Sequence, residues 1–593
     1  MKLKKIFLSL ILAMLALALI SCTGDKEPSD SDTSSDATGD NIPVEEVLEL
    51  VNKAEGTSAT IVYAVAAQPY ELDAVQTVSE QFYRLTDVRI RPSAEELTYN
   101  ADTVEIIVGR TSHKESIEVY KTLGYGEGKV AVVGNKVVIA GYNEAALAGA
   151  LDQLITALFN RKTDDGVFTI QKNFSAVFQD NPMLAQIPYA ESFTAGKLTN
   201  TGDNCHMLTF ESVSEQAISD YVAIFGNKGY EKYTENTIED NKFYTYTNDE
   251  YVLNVIYTGY NNTAHVLVQS LEDTALPTRA EDNVYTPIEG CETTISQLGL
   301  YYPFGDNGAE KYFNGMSYVM RLADGSFIVI DGGHFKSIDG DRIYNVLRKQ
   351  APDPDNIVIA AWIFSHAHSD HIGFFGDFAK TYADKVTVEQ FIFNFPGAEQ
   401  RGTLTDNRDT VDGAITRYFK DVPVVKAHAG QEYYIRNAKI TMLYSLDVYR
   451  DELTDYNNTS LAFTIEAEGY KWMVFGDYSE GGKTLRSMYS AKTLKSDIMQ
   501  VSHHGVAGQS NETYEIVAPE YALWPAGDYF VSFVYNGVVQ NVQLREQTWN
   551  KYMMEKMDQS KVFWAKDDIV ILTLGADGIT SQTFETDTAY LNG

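Results

Sequence analysis

The chain has 593 residues, too many for a single hydrophobic core, so two or three domains are expected. Hydrophobic residues make up 44% of it, enough to fill those cores, and the formal charge is -35. So anionic a surface repels polyanions and argues against tight nonspecific nucleic-acid binding, which needs arrays of lysine and arginine against phosphates.

At the start, Lys2, Lys4 and Lys5 precede a nearly continuous apolar run from Ile6 to Ile20. The run is short for a membrane span, and a basic start before an apolar centre reads as an export leader over residues 1–21. Leu19-Ile20-Ser21-Cys22 matches the box at which bacterial lipoproteins are cleaved and lipidated. Cys22 is therefore the expected lipidation site, and the mature chain is expected outside the cytoplasmic membrane, held by acyl chains. An uncleaved transmembrane anchor is the alternative. Residues 22–40 are rich in serine, threonine, glycine and aspartate and nearly free of apolar side chains, which predicts a flexible acidic tether.

Residues 41–178 alternate strand and helix signals. Ala59–Val65 and Val104–Gly109 read as strands, Lys129–Gly141 as a hairpin turning on Gly134-Asn135, and Asn143–Phe159 as a helix with apolar residues at helical spacing. This order loosely resembles the noncatalytic α/β domain that precedes the catalytic domain of some glycoside hydrolases. It shows no carboxylate pair placed for glycosidic chemistry, so a structural or ligand-presenting role is expected.

Residues 179–285 read as a small α+β domain, with a helix near Val213–Lys228 and strands at Tyr251–Tyr257 and Ala264–Val268. Tyr244, Tyr246 and Tyr251 would offer a glycan-stacking surface or simply pack inward. The chain has three cysteines, Cys22, Cys205 and Cys291, and no Cys-x-x-Cys, so neither a zinc ribbon nor a thiol redox motif is available. A Cys205–Cys291 bridge is open to an exported chain.

The chemistry lies in residues 286–593. Ile357–Phe364 reads as a buried strand, and directly after it come His366-Ala367-His368-Ser369-Asp370-His371. One buried histidine is usually a hydrogen-bonded core residue. Three of the chain's ten histidines within six positions, with a carboxylate, on a loop held by a rigid strand, are a metal site for a borderline transition ion. Zinc is expected, as one or two ions, with manganese or iron also fitting the donors.

His-x-His-x-Asp-His on a strand-to-helix turn resembles the signature of the metallo-β-lactamase-fold hydrolases. Phe327–Gly333 is similar to the family strand that ends in an aspartate and glycine, making Asp331 and Gly333 structural motif residues. Trp472–Asp477 is similar to the strand ending in the bridging aspartate, and Asp497–Gly505 to the strand ending in the last histidine. The resemblance implies a C-terminal αββα sandwich, preceded by two smaller α/β or α+β domains.

It further implies that His366 and His368 hold one ion, that Asp370, His371 and His503 hold a second, and that Asp477 bridges them. The nucleophile would be a metal-bound hydroxide oriented by Asp370. His504 would protonate the leaving group, steady the oxyanion or support His503; the sequence leaves open which of His503 and His504 is the ligand. The family's usual third histidine is replaced by Asn457-Asn458-Thr459-Ser460. Between His371 and Asp477 the only histidine is His428, a candidate ligand or a core residue; His334 is expected at the rim. The asparagine version with His-His-Gly is similar to the subgroup containing the hydrolase domain of bacterial DNA-uptake channel proteins. A phosphoester or related ester is the expected substrate, small or from the cell envelope; an ester, lactone or amide, or a noncatalytic metal-containing surface protein, are the alternatives.

Overall fold

The computed structural model describes residues 46–95, 100–160, 166–190, 193, 196–202, 204–304, 309–313, 315–334, 339–449, 452–526, 529–535, 538–565, 569–584 and 587–592. The expected leader, Cys22 and the expected tether lie outside the described residues. Among the described residues no helix is long and apolar enough to cross a membrane.

The first sheet has six strands in the order Pro92–Ala94, Thr60–Tyr63, Glu105–Val108, Lys136–Gly141, Glu127–Val133, Ser175–Gln179. The first four run parallel and the last two antiparallel to their neighbours. Apolar faces of the helices Pro69–Thr86 and Glu144–Asn160 cover one side, with Val78, Phe82, Leu147 and Leu154 meeting Ile61, Ile106 and Ile139. Asn143 accepts from the amide of Ala146 at 2.8 Å and so starts the second helix where the sequence placed it.

The second sheet is antiparallel, in the order Glu231–Ile238, Asn241–Thr247, Tyr251–Thr258, Thr263–Ser270, Cys205–Phe210, Lys197–Gly202. The helix on it is shorter than the periodicity suggested: Glu215–Val222, capped by Ser214, followed by a 3-10 turn at Phe225–Lys228. Tyr244 is buried, and Tyr246 and Tyr251 pack half-buried against the same core, so these rings close the domain and form no stacking surface. The other face of this sheet sends Cys205, Met207, Phe243, Ile256 and Leu267 into a core shared with Leu443, Tyr444, Met473 and Met499 of the C-terminal region. Gly430 allows that contact. Its φ is +83°, and a Cβ there would stand 1.9 Å from Phe243 Cγ. Cys205 is fully buried in this shared core, whereas Cys291 is half-buried beside the Leu322 carbonyl, and the two form no disulfide.

Two further sheets make the C-terminal sandwich. A nine-stranded sheet contains Val424–Lys426, Phe391–Phe393, Ile357–Ile363, Phe327–Asp331, Ser317–Arg321, Thr293–Leu298, Ile569–Gly575 and Gly578–Phe584 in that order, with Val386–Val388 beside Ile357–Ile363. The seven-stranded sheet runs Glu432–Ile435, Ala438–Tyr444, Ala462–Ala467, Tyr470–Val474, Ile498–Gln500, Tyr521–Trp524, Val562–Trp564. Phe327–Asp331 shows why such strands read as unbroken apolar runs: Phe327 and Val329 face outer helices, while Ile328 and Ile330 face the other sheet. Phe327–Asp331 and Ile357–Ile363 are parallel, joined through the helix Asp339–Gln350. Tyr470–Val474, Ile498–Gln500 and Tyr521–Trp524 are parallel in the second sheet. The carboxyl ends of these strands carry the candidate ligands. Everything described from Leu48 onward belongs to one compact unit.

Candidate metal centre

His366–His371 leaves the end of the Ile357–Ile363 strand and enters a short helix at Ser369–Ile372. Asp477 follows Tyr470–Val474 by three residues, and His503 and His504 follow Ile498–Gln500 in a tight turn. That turn is unusual: both histidines have left-handed backbones, with φ of 50° and 54°. The conformation is uncommon for residues with a side chain and is held by its surroundings. The next residue, Gly505, also left-handed, has the Trp524 ring where a Cβ would be, 2.5 Å away.

The turn separates the two rings. His504 Nε2 lies 3.1 Å from Asp477 Oδ2, 3.2 Å from Asp370 Oδ2 and 3.2 Å from His371 Nε2. His503 Nε2 is 4.0 Å from Asp477 Oδ2 and 3.3 Å from Asn457 Nδ2. Asp370, His371, Asp477 and His504 form one group whose donor atoms all lie within 4.8 Å of one another; His366, His368 and Asp477 form another. Of the pair that the sequence left open, His504 stands in the four-donor group, and His503 stands beside it. His428 is elsewhere, buried between Asp447 Oδ2 at 2.8 Å and Gln269 Oε1 at 2.9 Å. His334 is half-buried beside Gly315.

Each inner ring is oriented through Nδ1. His371 Nδ1 is 2.6 Å from Asp331 Oδ2, His504 Nδ1 is 3.1 Å from the Pro525 carbonyl, and His366 Nδ1 is 3.1 Å from Ser365 Oγ. Their Nε2 atoms all face Asp477. A carboxylate or carbonyl behind a histidine is the arrangement that fixes the tautomer of a metal ligand. Asp331 accepts three hydrogen bonds: from His371, and from the amide and hydroxyl of Ser365, the latter two at 2.6 Å each. Gly333 donates its amide to the His371 carbonyl at 3.1 Å and so ties the first strand to the ligand turn. Ser365 was not singled out from the sequence, although its place between the strand end and His366 is the signal. Tyr456 was also missed; its ring lies 5.1 Å from that of His368.

The electrostatics fit cations. Burial alone would keep His371 and His504 neutral, but the Asp477 carboxylate, with Asp331 for the first and Asp370 for the second, outweighs it. The pKa of His371 rises well above the ordinary value, and that of His504 rises to about 9. Burial likewise works to raise Asp370 and Asp477, yet the facing histidines hold both carboxyls well below the usual range. Burial, reinforced by the His371 and His368 rings, pushes His366 well below its ordinary value and leaves it neutral. Protons on His371 and His504 thus offset the carboxylates where an ion would. Asp477 Oδ2 is the oxygen that His366, His371, His503 and His504 face, and Oδ1 is buried with no hydrogen-bond partner. Two nitrogens and two carboxylates in one group, and two nitrogens and a shared carboxylate in the other, suit zinc or another divalent transition ion.

Residues 312–520 match the family model described as the Metallo-beta-lactamase superfamily. The C-terminal region is a metallo-beta-lactamase domain. It is preceded by other α/β domains, and members of its superfamily are generally metal-dependent hydrolases that bind divalent ions, often zinc. Among solved structures, the metallo-beta-lactamase fold protein YhfI from Bacillus subtilis is 12% identical, with 39% of this chain and 84% of that one covered at a TM-score of 0.26. A HARLDQ motif mutant of a metallo-beta-lactamase from Cronobacter sakazakii is 15% identical over 34% of this chain and 75% of that one, with a TM-score of 0.19. A mutant of CmlA beta-hydroxylase is 13% identical over 40% and 46%, with a TM-score of 0.24. No curated protein matches the chain.

Proposed function

We propose that this chain is a lipid-anchored, extracytoplasmic metal-dependent hydrolase acting on a phosphoester or related ester. The observation that carries the hydrolase reading is the convergence of Asp370, His371, His504, His366 and His368 on one carboxylate, Asp477. Divalent ions held there would supply Lewis acidity and make a bound water acidic at neutral pH. Asp370 stays anionic beside His504 and would orient the attacking water by accepting its hydrogen bond, with proton shuttling the further role the family resemblance implies. His504 is tied up by Asp370, Asp477 and Pro525 and serves better as a ligand than as an acid. His503, at the edge, is left to face substrate.

The preference for a phosphoester rests on Asn457–Ser460 and His503-His504-Gly505 and their likeness to the DNA-uptake subgroup. The charge of -35 favours a small phosphodiester over a polymer. The same charge favours the second reading, a neutral ester, lactone or amide. The anchor rests on the leader and Cys22, and the hydrolase domain on residues 286–593.

Metal analysis of the purified chain, followed by assays with bis(para-nitrophenyl) phosphate and a panel of para-nitrophenyl esters, tests the reading. Bound transition metal and phosphodiester turnover lost in Asp370→Ala support it. Turnover confined to the carboxylic esters moves the substrate to the second reading, and bound metal with no turnover of either kind points to a binding protein. A chain that holds no transition metal defeats the mechanism.

A further inference from the structure

The outward face of the second sheet changes character along one row of cross-strand partners. Phe243, Ile256, His265, Thr209 and Lys197 stand side by side on successive strands. Phe243 and Ile256 are sealed into the core shared with the C-terminal domain. His265, Thr209 and Lys197 instead line a cleft of about 730 Å³ whose far wall is built by that domain, among others from Leu446, Tyr449 and Glu480. The volume lies in the upper part of the range of small-molecule sites, about 300–1,000 Å³. Glu480 follows Asp477 by three residues, a span of at most about 11 Å, so the cleft adjoins the metal centre without containing any of its donors.

One group in the lining lacks what a ligand would bring. Thr263 is 3% exposed and lines the cleft, and its hydroxyl has no hydrogen-bond partner. A buried hydroxyl left alone is costly, and a bound polar group would remove that cost. Around it the polar atoms are held in place. Thr209 Oγ1 and His265 Nδ1 share a hydrogen bond at 3.2 Å. Glu480 is fixed by the Tyr478 hydroxyl at 2.6 Å and the Thr484 amide at 2.8 Å, and Glu399 by the Asn200 amide at 3.1 Å. Two aromatic rings complete the lining: Tyr449, bonded to Asn458 Nδ2 at 3.4 Å, and Tyr260, 39% exposed.

We propose that this cleft is a carbohydrate-binding site for an uncharged oligosaccharide, with the second domain supplying one wall. Hydroxyls and fixed carboxylates exchange hydrogen bonds with sugar hydroxyls, and tyrosine offers an apolar ring face with a polar tip. An acyl chain would need an apolar lining, whereas half of this one is polar side chains or more. Its four glutamates, Glu211, Glu399, Glu452 and Glu480, outnumber its two lysines, Lys197 and Lys483, and so disfavour an acidic glycan. The site goes beyond the hydrolase reading and needs no bound ion.

The test is retention of the purified full chain on an array of chitin, cellulose, mannan and galactan oligosaccharides, with oligogalacturonates as the acidic comparison. Calorimetry with the most strongly retained neutral oligosaccharide follows, before and after metal is stripped with a chelator. The expected result is retention on a neutral oligosaccharide above that on the oligogalacturonates, with an affinity that survives stripping. Tyr260→Ala should weaken binding about fivefold or more, as loss of an aromatic anchor does. Thr263→Val keeps the shape and removes the hydroxyl; it should weaken binding by about two- to tenfold and leave the melting temperature unchanged or higher. A clear fall in melting temperature for Thr263→Val would mean that the fold already satisfies the hydroxyl, and it would overturn the proposal. So would retention on no neutral oligosaccharide, preference for the acidic one, binding lost with the metal, or binding that both variants keep in full. None of these results touches the hydrolase reading, which stands or falls on bound metal and turnover.

Discussion

Asp331→Asn isolates the role of the carboxylate behind His371. The side chain is fully buried and the substitution keeps its shape, so the effect is a change of hydrogen-bond sense. In the native site Oδ1 accepts from the Ser365 amide, and Oδ2 accepts from the Ser365 hydroxyl and from His371 Nδ1, all at 2.6 Å. If the new amide group turns toward Ser365 N, two donors face one another. If it turns toward His371, Nδ1 must become an acceptor and the ring proton moves to Nε2, the nitrogen 3.1 Å from Asp477 that an ion needs. Either orientation penalises the metal-ready ring. Loss of such a partner costs about ten- to hundredfold in metal affinity, or about 1.4–2.7 kcal/mol. Chelator-competition titration of the stripped proteins measures the affinity, and thermal unfolding checks that the variant still folds. A folded Asp331→Asn protein with wild-type zinc affinity would refute the argument that this carboxylate sets the tautomer.

Asp370→Asn is expected to retain the fold and lower kcat by about 10²–10⁴, the usual worth of a positioned proton-transfer group; steady-state kinetics on the phosphodiester will show it. In the metal-free protein, His504 has a folded pKa of about 9, above its unfolded value near 6.5. Its stabilising contribution is therefore complete below the unfolded value and lost as pH rises through the folded one. Melting curves of chelator-treated protein should accordingly shift to lower temperature between about pH 6.5 and 9, and saturating zinc should remove that trend, since the ion needs the deprotonated ring. Gly430→Ala places a Cβ against Phe243 at a left-handed residue; overpacking of about 1–3 kcal/mol and a further 1–2 kcal/mol for the backbone should appear as a clear loss in denaturant midpoint, and an unchanged midpoint would show that the two domains are not packed as described.

The ligand turn was legible because its donors are neighbours in sequence and follow an apolar strand. Asp477, a lone carboxylate after another apolar strand, was singled out through the family resemblance and not by donors beside it. The choice between His503 and His504 was not, because it depends on two successive left-handed residues that no local composition signals. Ser365 is a single hydroxyl whose importance comes from Asp331, 34 positions earlier and brought near by parallel pairing. The sandwich strands were recognisable as buried but not assignable to a layer, since a strand covered on both faces loses its alternation. The outer face of the second sheet was hidden in the same way: Ile256 and Leu267 look like ordinary core positions of a small domain, and only the fold shows that they point out of it. The Leu300–Phe304 and Ala309–Phe313 hairpin and the one at Tyr529–Tyr535 and Val538–Gln543 also went unread, being paired only with themselves.

The second sheet's outward apolar face bears on how this protein can be handled. A gene fragment starting near residue 286 would keep every candidate ligand and still be a poor protein. It would bare Leu443, Tyr444, Met473 and Met499, of which Met473 belongs to the strand leading to Asp477 and Met499 to the strand leading to the two histidines. Five side chains would be withdrawn from that face, each worth about 1.5–3 kcal/mol when buried, a sum comparable to the roughly 5–15 kcal/mol that keeps a whole domain folded. The domain that carries the candidate ligands is therefore not a portable cassette: it travels with its neighbour, and a swap that exchanges one must exchange both.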